Sequence, residues 1–232
     1  MIELRPFGRL GGGSHGWLES KFHFSFADYH DDERTHWGRL QVWNDDEIAA
    51  GTGFGTHSHA NMEIITYVTQ GAITHKDSLG NTGRTEAGDV QVMSAGTGIA
   101  HSEYNLENET TKLFQLWILP DQRGGAPSWG ARPFPKDARA GKFVTLASGK
   151  PEDTDALPIR SDARVAGATL KAGETTEYKL GAGRYAYLVA ASGSIEVNGV
   201  HAGTRDGLAI ADEDVLRVKA LEDAEIVLVD AG

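Results

Sequence analysis

The chain contains no cysteine. That excludes disulfides, thiolate metal sites and cysteine nucleophiles together, and leaves histidine and carboxylate as the good metal ligands. No run approaches the roughly 20 apolar residues of a membrane span, and the stretch Met1–Trp17 lacks the apolar core of a secretory signal. Clusters of Lys and Arg are missing too, and the formal charge of −11 repels nucleic acid and anionic membrane surfaces. The expectation is a soluble, cytoplasmic protein with no direct nucleic-acid contact and no membrane association.

Proline is scarce, at seven residues in 232, but Pro120, Pro127, Pro133 and Pro135 crowd into one stretch that ends near Lys142. Gly124, Gly125, Gly130 and Gly141 interrupt the same stretch. Proline cannot serve a central ladder, so this density reads as a linker. The chain then divides into an N-terminal domain (1–125), a linker (126–141) and a C-terminal domain (142–232).

What is abundant is glycine, 29 residues, which suits tight turns between short strands. Alternating or β-branched runs recur at Leu40–Trp43, Met62–Thr69, Val90–Met93, Lys112–Leu119, Phe143–Leu146, Tyr185–Ala191, Ser194–Asn198, Val215–Val218 and Glu225–Val229. Turn signals such as Ala87-Gly88-Asp89 and Asn198-Gly199 separate many of them. The pattern predicts an all-β protein of antiparallel sandwich or barrel type. No long segment carries a 3.6-residue apolar stripe, so helix is expected to be minor.

The halves also read as a weak internal repeat, because Gly51 and Gly71 share the spacing of Gly173 and Gly193. An ungapped overlay sets Lys179 on His57, Gly181 on His59 and Tyr185 on Glu63. The second half therefore keeps a strand scaffold and loses the polar cluster.

That cluster carries the chemistry. His57-Ser58-His59 places two imidazoles at i and i+2, on one face of a strand. His101-Ser102-Glu103 repeats the device with an imidazole and a carboxylate. Three nitrogens and one oxygen suit a first-row divalent ion and disfavour Mg(II) and Ca(II). Glu63, four residues after His59, is the competing carboxylate, and spacing alone leaves that choice open. Asn105 extends the His101 and Glu103 face and is expected to touch substrate or water. His15, His23, His30 and His36 have no partner at ligand spacing, His75 and His201 lie near predicted turns, and none is assigned to metal. Trp17, Phe22, Phe24 and Phe26 are read as packing the N-terminal segment against the sheet, with a ligand entrance as the alternative.

Gly51–Gly71 resembles the first cupin motif and Gly88–Glu103 the second, with Ala95 where that motif usually has proline. More narrowly, Thr74–Asn81 (THKDSLGN), the GDVQVMSAGTGIAHSE run and His15–His30 resemble the pirin family of bicupins. The resemblance is specific over the N-terminal half and weak beyond it. It implies two tandem cupin (RmlC-like jelly-roll) barrels, with metal in the first only. It also implies that His57, His59, His101 and Glu103 are the ligands and that Glu63 is a supporting residue. Iron(II) is the expected ion, with Mn(II), Ni(II), Co(II), Cu(II) and Zn(II) as alternatives.

Pirin-like proteins with this ligand set resemble quercetin 2,3-dioxygenases, which cleave a flavonol with dioxygen and release carbon monoxide. Carried over, the resemblance implies a planar phenolic or enol substrate, dioxygen as co-substrate, and Glu103 as a ligand that also accepts the flavonol proton. A metal-bearing regulatory module with a protein partner, and an oxygen-independent cupin enzyme, are the alternatives.

Overall fold

The computed structural model describes all 232 residues and contains no α-helix, only two single 3-10 turns at Phe7–Arg9 and Lys136–Arg139. No helix is long and apolar enough to cross a membrane. Twenty-two strands form two β-barrels of the cupin type, each closed by one seven-stranded and one four-stranded sheet.

The two barrels share one topology. In the first, Gly53–His59, Ile99–Tyr104, Ala72–Asp77 and Thr82–Glu86 lie in that order in the smaller sheet. In the second, Thr175–Lys179, Val215–Ala220, Ile195–Val197 and Val200–Ala202 lie in the corresponding order. The larger sheets match likewise: Val90–Ser94, Glu63–Gln70, Thr111–Ile118 and Leu40–Ile48 correspond to Gly207–Ala211, Tyr185–Ser192, Ala224–Ala231 and Ala163–Leu170. The repeat read from glycine spacing is thus a repeat of strands.

Side-chain alternation explains how the barrels join. Along Tyr185–Ser192, Tyr187 and Val189 face one core, while Ala186, Leu188 and Ala190 face another. Burial on both faces makes the strand a continuous apolar run. The first of these cores is shared: Trp43, Tyr67, Phe114 and Leu116 of the first barrel pack with Val165, Tyr187, Val189 and Val229 of the second. The two large sheets therefore meet face to face.

Two segments cross the boundaries drawn from sequence. Ser128–Arg132, inside the expected linker, is an edge strand that pairs antiparallel with Val90–Ser94 of the first barrel. Pro127 and Pro133 flank that strand without entering it, which is where a sheet tolerates proline. Ile2–Arg5, at the start of the chain, pairs with Gly207–Ala211 and forms an edge of the second barrel's large sheet.

The barrel interiors differ in chemistry. The second holds one apolar cluster of 17 buried residues. The first holds two small apolar clusters, one around Ile48 and Val68 and one around Ile64 and Met93. Its buried polar residues include Thr66, His75, Gln91, His101 and Glu103.

Candidate metal centre

A single row of cross-strand partners organises the polar interior. Gln91 opposes Thr66, Thr66 opposes Gln115, and Gln115 opposes Asn44. Three of these reach across to Glu103 on the other sheet. Gln91 Nε2 and Thr66 Oγ1 donate to Oε1 at 2.7 and 3.3 Å, and Gln115 Nε2 donates to Oε2 at 2.9 Å. In the second barrel the corresponding row is Leu208, Leu188, Leu228 and Ala166, all within the apolar cluster. A buried carboxylate has no donors there, so that barrel cannot carry an equivalent of Glu103.

His57 and His101 are direct partners on adjacent antiparallel strands. The ladder slips by one residue between His101 and Glu103, a bulge of the kind that re-aims side chains beside functional sites. Gly53 allows it, since a Cβ there would meet the Glu103 carbonyl oxygen at 2.3 Å. His57, His59 and His101 converge, each offering a nitrogen within 4.8 Å of the others. The Nε2 atoms of His57 and His101 face each other at 3.1 Å. Two nitrogens bound about 2.1 Å from one ion at a right angle lie about 3 Å apart, so the pair fits a shared ion.

The protonation states fit as well. Burial, then the neighbouring His57, holds His59 down to about 4, and burial with the surrounding histidines holds His101 down to about 3. Both are therefore neutral donors at neutral pH, as ligation requires. His57 Nδ1 lies 2.7 Å from the Gly55 carbonyl oxygen. A carbonyl only accepts, so the proton sits on Nδ1 and Nε2 is left as a bare lone pair. Burial pushes the Glu103 carboxyl up, against the opposing influence of His75 and of its hydrogen-bond donors.

Glu63 belongs to neither histidine group. It is buried and accepts a 2.5 Å hydrogen bond from Ser94 Oγ, its cross-strand partner. Asn105 departs from the expectation. The strand ends at Tyr104, and the Asn105 amide donates to the carbonyls of Ile48 and Glu109 while its oxygen accepts from the Glu107 amide. Its side chain is consumed by the turn and has no donor left for substrate.

His75 is a candidate site residue that the sequence reading set aside. It lies in Ala72–Asp77, just before a turn, as the direct partner of Glu103, fully buried and grouped with His101 and Glu103. The available signal was the spacing His75-Lys76-Asp77, a third i, i+2 pair of ligand-type residues.

Beside the cluster lies a cavity of about 360 Å³ walled by Trp17, Leu18, Phe22, Phe26 and Phe54, with Ser20, Asn44, Asp46 and Gln115 among its polar residues. None of the four candidate ligands lines it, but Gln115 connects it to Glu103. Three aromatics that were expected to pack the N-terminal segment thus line a pocket, and only Phe24 of that group joins the shared core. Asn44 Oδ1 is buried there without a partner. Burial pushes Asp46 up to about 7 despite a 2.6 Å hydrogen bond from Ser20. A larger polar cavity of about 410 Å³, lined by Asp121, Arg123 and Arg160, contains no apolar side chain.

The pirin family model matches residues 4–118, and the model described as the quercetinase C-terminal cupin domain matches residues 145–231. A pirin-like protein of Caulobacter vibrioides is 67% identical over 232 residues, covering all of both chains. The chain belongs to the pirin family. A second pirin relative, named quercetin 2,3-dioxygenase in Escherichia coli K12, is 42% identical, covering 99% of this chain and 98% of its own. The crystal structure of a bacterial pirin from E. coli in complex with nickel(II) superposes with a TM-score of 0.93 at 40% identity, covering 100% of this chain and 99% of that one.

Proposed function

We propose that His57, His59, His101 and Glu103 hold one divalent transition-metal ion. We propose further that this pirin is a dioxygenase that cleaves flavonol-type enols with O2 and releases carbon monoxide. The observation that carries the reading is the bare Nε2 lone pair of His57 aimed at His101 Nε2, 3.1 Å away, beside an aromatic-walled cavity. The nickel(II) complex of the E. coli pirin and the dioxygenase name of an E. coli relative support it.

A bound divalent transition ion supplies Lewis acidity toward an enol oxygen and a redox partner for dioxygen. The protein's own residues supply the rest. Trp17, Phe22, Phe26 and Phe54 offer ring faces to a planar substrate and exclude water from it. Asn44 Oδ1 accepts from a substrate hydroxyl, which satisfies an otherwise unpaired buried oxygen. Glu103 Oε2 takes one hydrogen bond, from Gln115, against two on Oε1, and so keeps one lone pair, which would bind the ion or, on shifting away from it, take the enol proton. Its raised affinity for a proton suits that role.

The test is oxygen uptake and carbon monoxide release from quercetin by protein loaded in turn with Fe, Mn, Co, Ni and Cu. Stoichiometric consumption of both substrates is expected. Folded, metal-loaded protein that consumes no oxygen with any of these ions overturns the dioxygenase reading. Turnover that persists without oxygen assigns the site to isomerisation or hydrolysis instead.

A further inference from the structure

His75 and Asp77 stand outside the ligand set, yet both are buried against it. Asp77 Oδ1 accepts from the amides of Leu79 and Asn81 and from Asn81 Nδ2, at 2.9, 3.1 and 3.2 Å. Oδ2 accepts from Asn81 Nδ2 at 3.0 Å and lies 2.8 Å from His75 Nε2. A carboxylate so surrounded by donors is ionised and can only accept. A neutral His75 ring therefore carries its proton on Nε2 and leaves Nδ1 as a bare acceptor. His75 Nδ1 lies 3.4 Å from His101 Nδ1. If a hydrogen lies between those two nitrogens, only His101 can supply it.

We propose that Asp77 and His75 form a two-step hydrogen-bond relay that locks His101 in its Nδ1–H tautomer and thereby leaves Nε2 free to bind the ion. The proposal rests on the reading of His101 as a ligand. With Gly55 on one side and the relay on the other, the two Nε2 lone pairs point toward one place, 3.1 Å apart. Two such lone pairs repel unless a cation lies between them.

The relay is held in place from an edge strand of the larger sheet. The His75 ring stacks on Trp129, centroids 4.7 Å apart and planes within 8°. Trp129 belongs to the edge strand Ser128–Arg132. His75 Nε2 is held by Asp77 and Nδ1 faces His101 Nδ1, which places it as a positioning residue behind the ligand. Outer partners of this kind typically contribute 10–100-fold to metal affinity.

The experiment reads the tautomers directly, by two-bond ¹H–¹⁵N correlation on metal-free, histidine-labelled protein. His101 is expected as Nδ1–H and His75 as Nε2–H. His75→Phe, which keeps the stacking ring, is expected to redistribute the His101 tautomer and weaken nickel(II) binding roughly 10–100-fold. His75→Gln, whose amide oxygen can accept from His101, should recover part of that loss. An Nε2–H tautomer for His101 in the wild type overturns the relay, and this result needs no variant to fold. So does nickel(II) affinity unchanged in His75→Phe, or abolished there as completely as in His101→Ala, which would make His75 a ligand. None of these readouts involves turnover, so a failure of the dioxygenase reading leaves the relay standing and the converse also holds.

Discussion

His57 and His101 are direct cross-strand partners whose Nε2 atoms face each other at 3.1 Å. Two imidazole nitrogens at that distance are spaced as two ligands of one ion would be. Around this pair the first barrel gives up the continuous apolar core that its twin retains. The row Gln91, Thr66 and Gln115 replaces Leu208, Leu188 and Leu228.

The row makes a first prediction. Gln115→Leu installs the residue of the second barrel and removes the donor on Glu103 Oε2. Leaving a buried acceptor unpaired costs about 1–3 kcal/mol. Urea denaturation of the metal-free variant should show a loss of that order, together with weaker metal binding. Wild-type stability with wild-type affinity would show that Glu103 does not depend on the row.

Asp46 gives a pH prediction. Its folded value of about 7 stands above the ordinary 3.8, chiefly through burial. The folded state therefore holds this proton more tightly than the unfolded chain does. The associated stability is complete below about pH 4 and is lost as pH rises through about 7. Asp46→Asn removes the loss. In metal-free protein the variant should gain on wild type by roughly 3 kcal/mol between pH 5 and pH 8. Parallel stability curves over that range would contradict the assignment.

The shared core predicts coupled unfolding. Tyr187 of the second barrel packs 5.4 Å from Trp43 of the first, ring centre to ring centre. Tyr187→Ala should cost about 3–5 kcal/mol, as large aromatic truncations do. Tryptophan fluorescence should follow the fall in midpoint together with far-UV circular dichroism, although all five tryptophans lie at or before Trp129. A tryptophan transition left in place while the dichroism shifts would mean that the barrels unfold separately.

Much of this was legible from local pattern. His57-x-His59 and His101-x-Glu103 could be placed on strands because i and i+2 share a face, and the strand runs predicted barrels because alternation is a local property. The features that escaped are set by distant partners. Ile2–Arg5 is a strand only because Gly207–Ala211 receives it, some 200 residues on. His75 was set aside because it lies near the turn at Gly80, and only the register against Glu103 gives it meaning. The Asn105 side chain turns to the carbonyls of Ile48 and Glu109 because strand alternation stops where the strand stops, at Tyr104. Trp17, Phe22 and Phe26 line a cavity whose existence depends on Phe54 and Gln115 from other strands.

The central claim is one ion held by three histidines and Glu103, with Glu63 left to Ser94. Its most direct test is metal-to-protein stoichiometry after nickel(II) loading and desalting, compared across wild type, His57→Ala, Glu103→Gln and Glu63→Gln. One equivalent is expected in wild type and Glu63→Gln, with most of it lost from folded His57→Ala and Glu103→Gln. Metal retained by Glu103→Gln and lost from Glu63→Gln would contradict it.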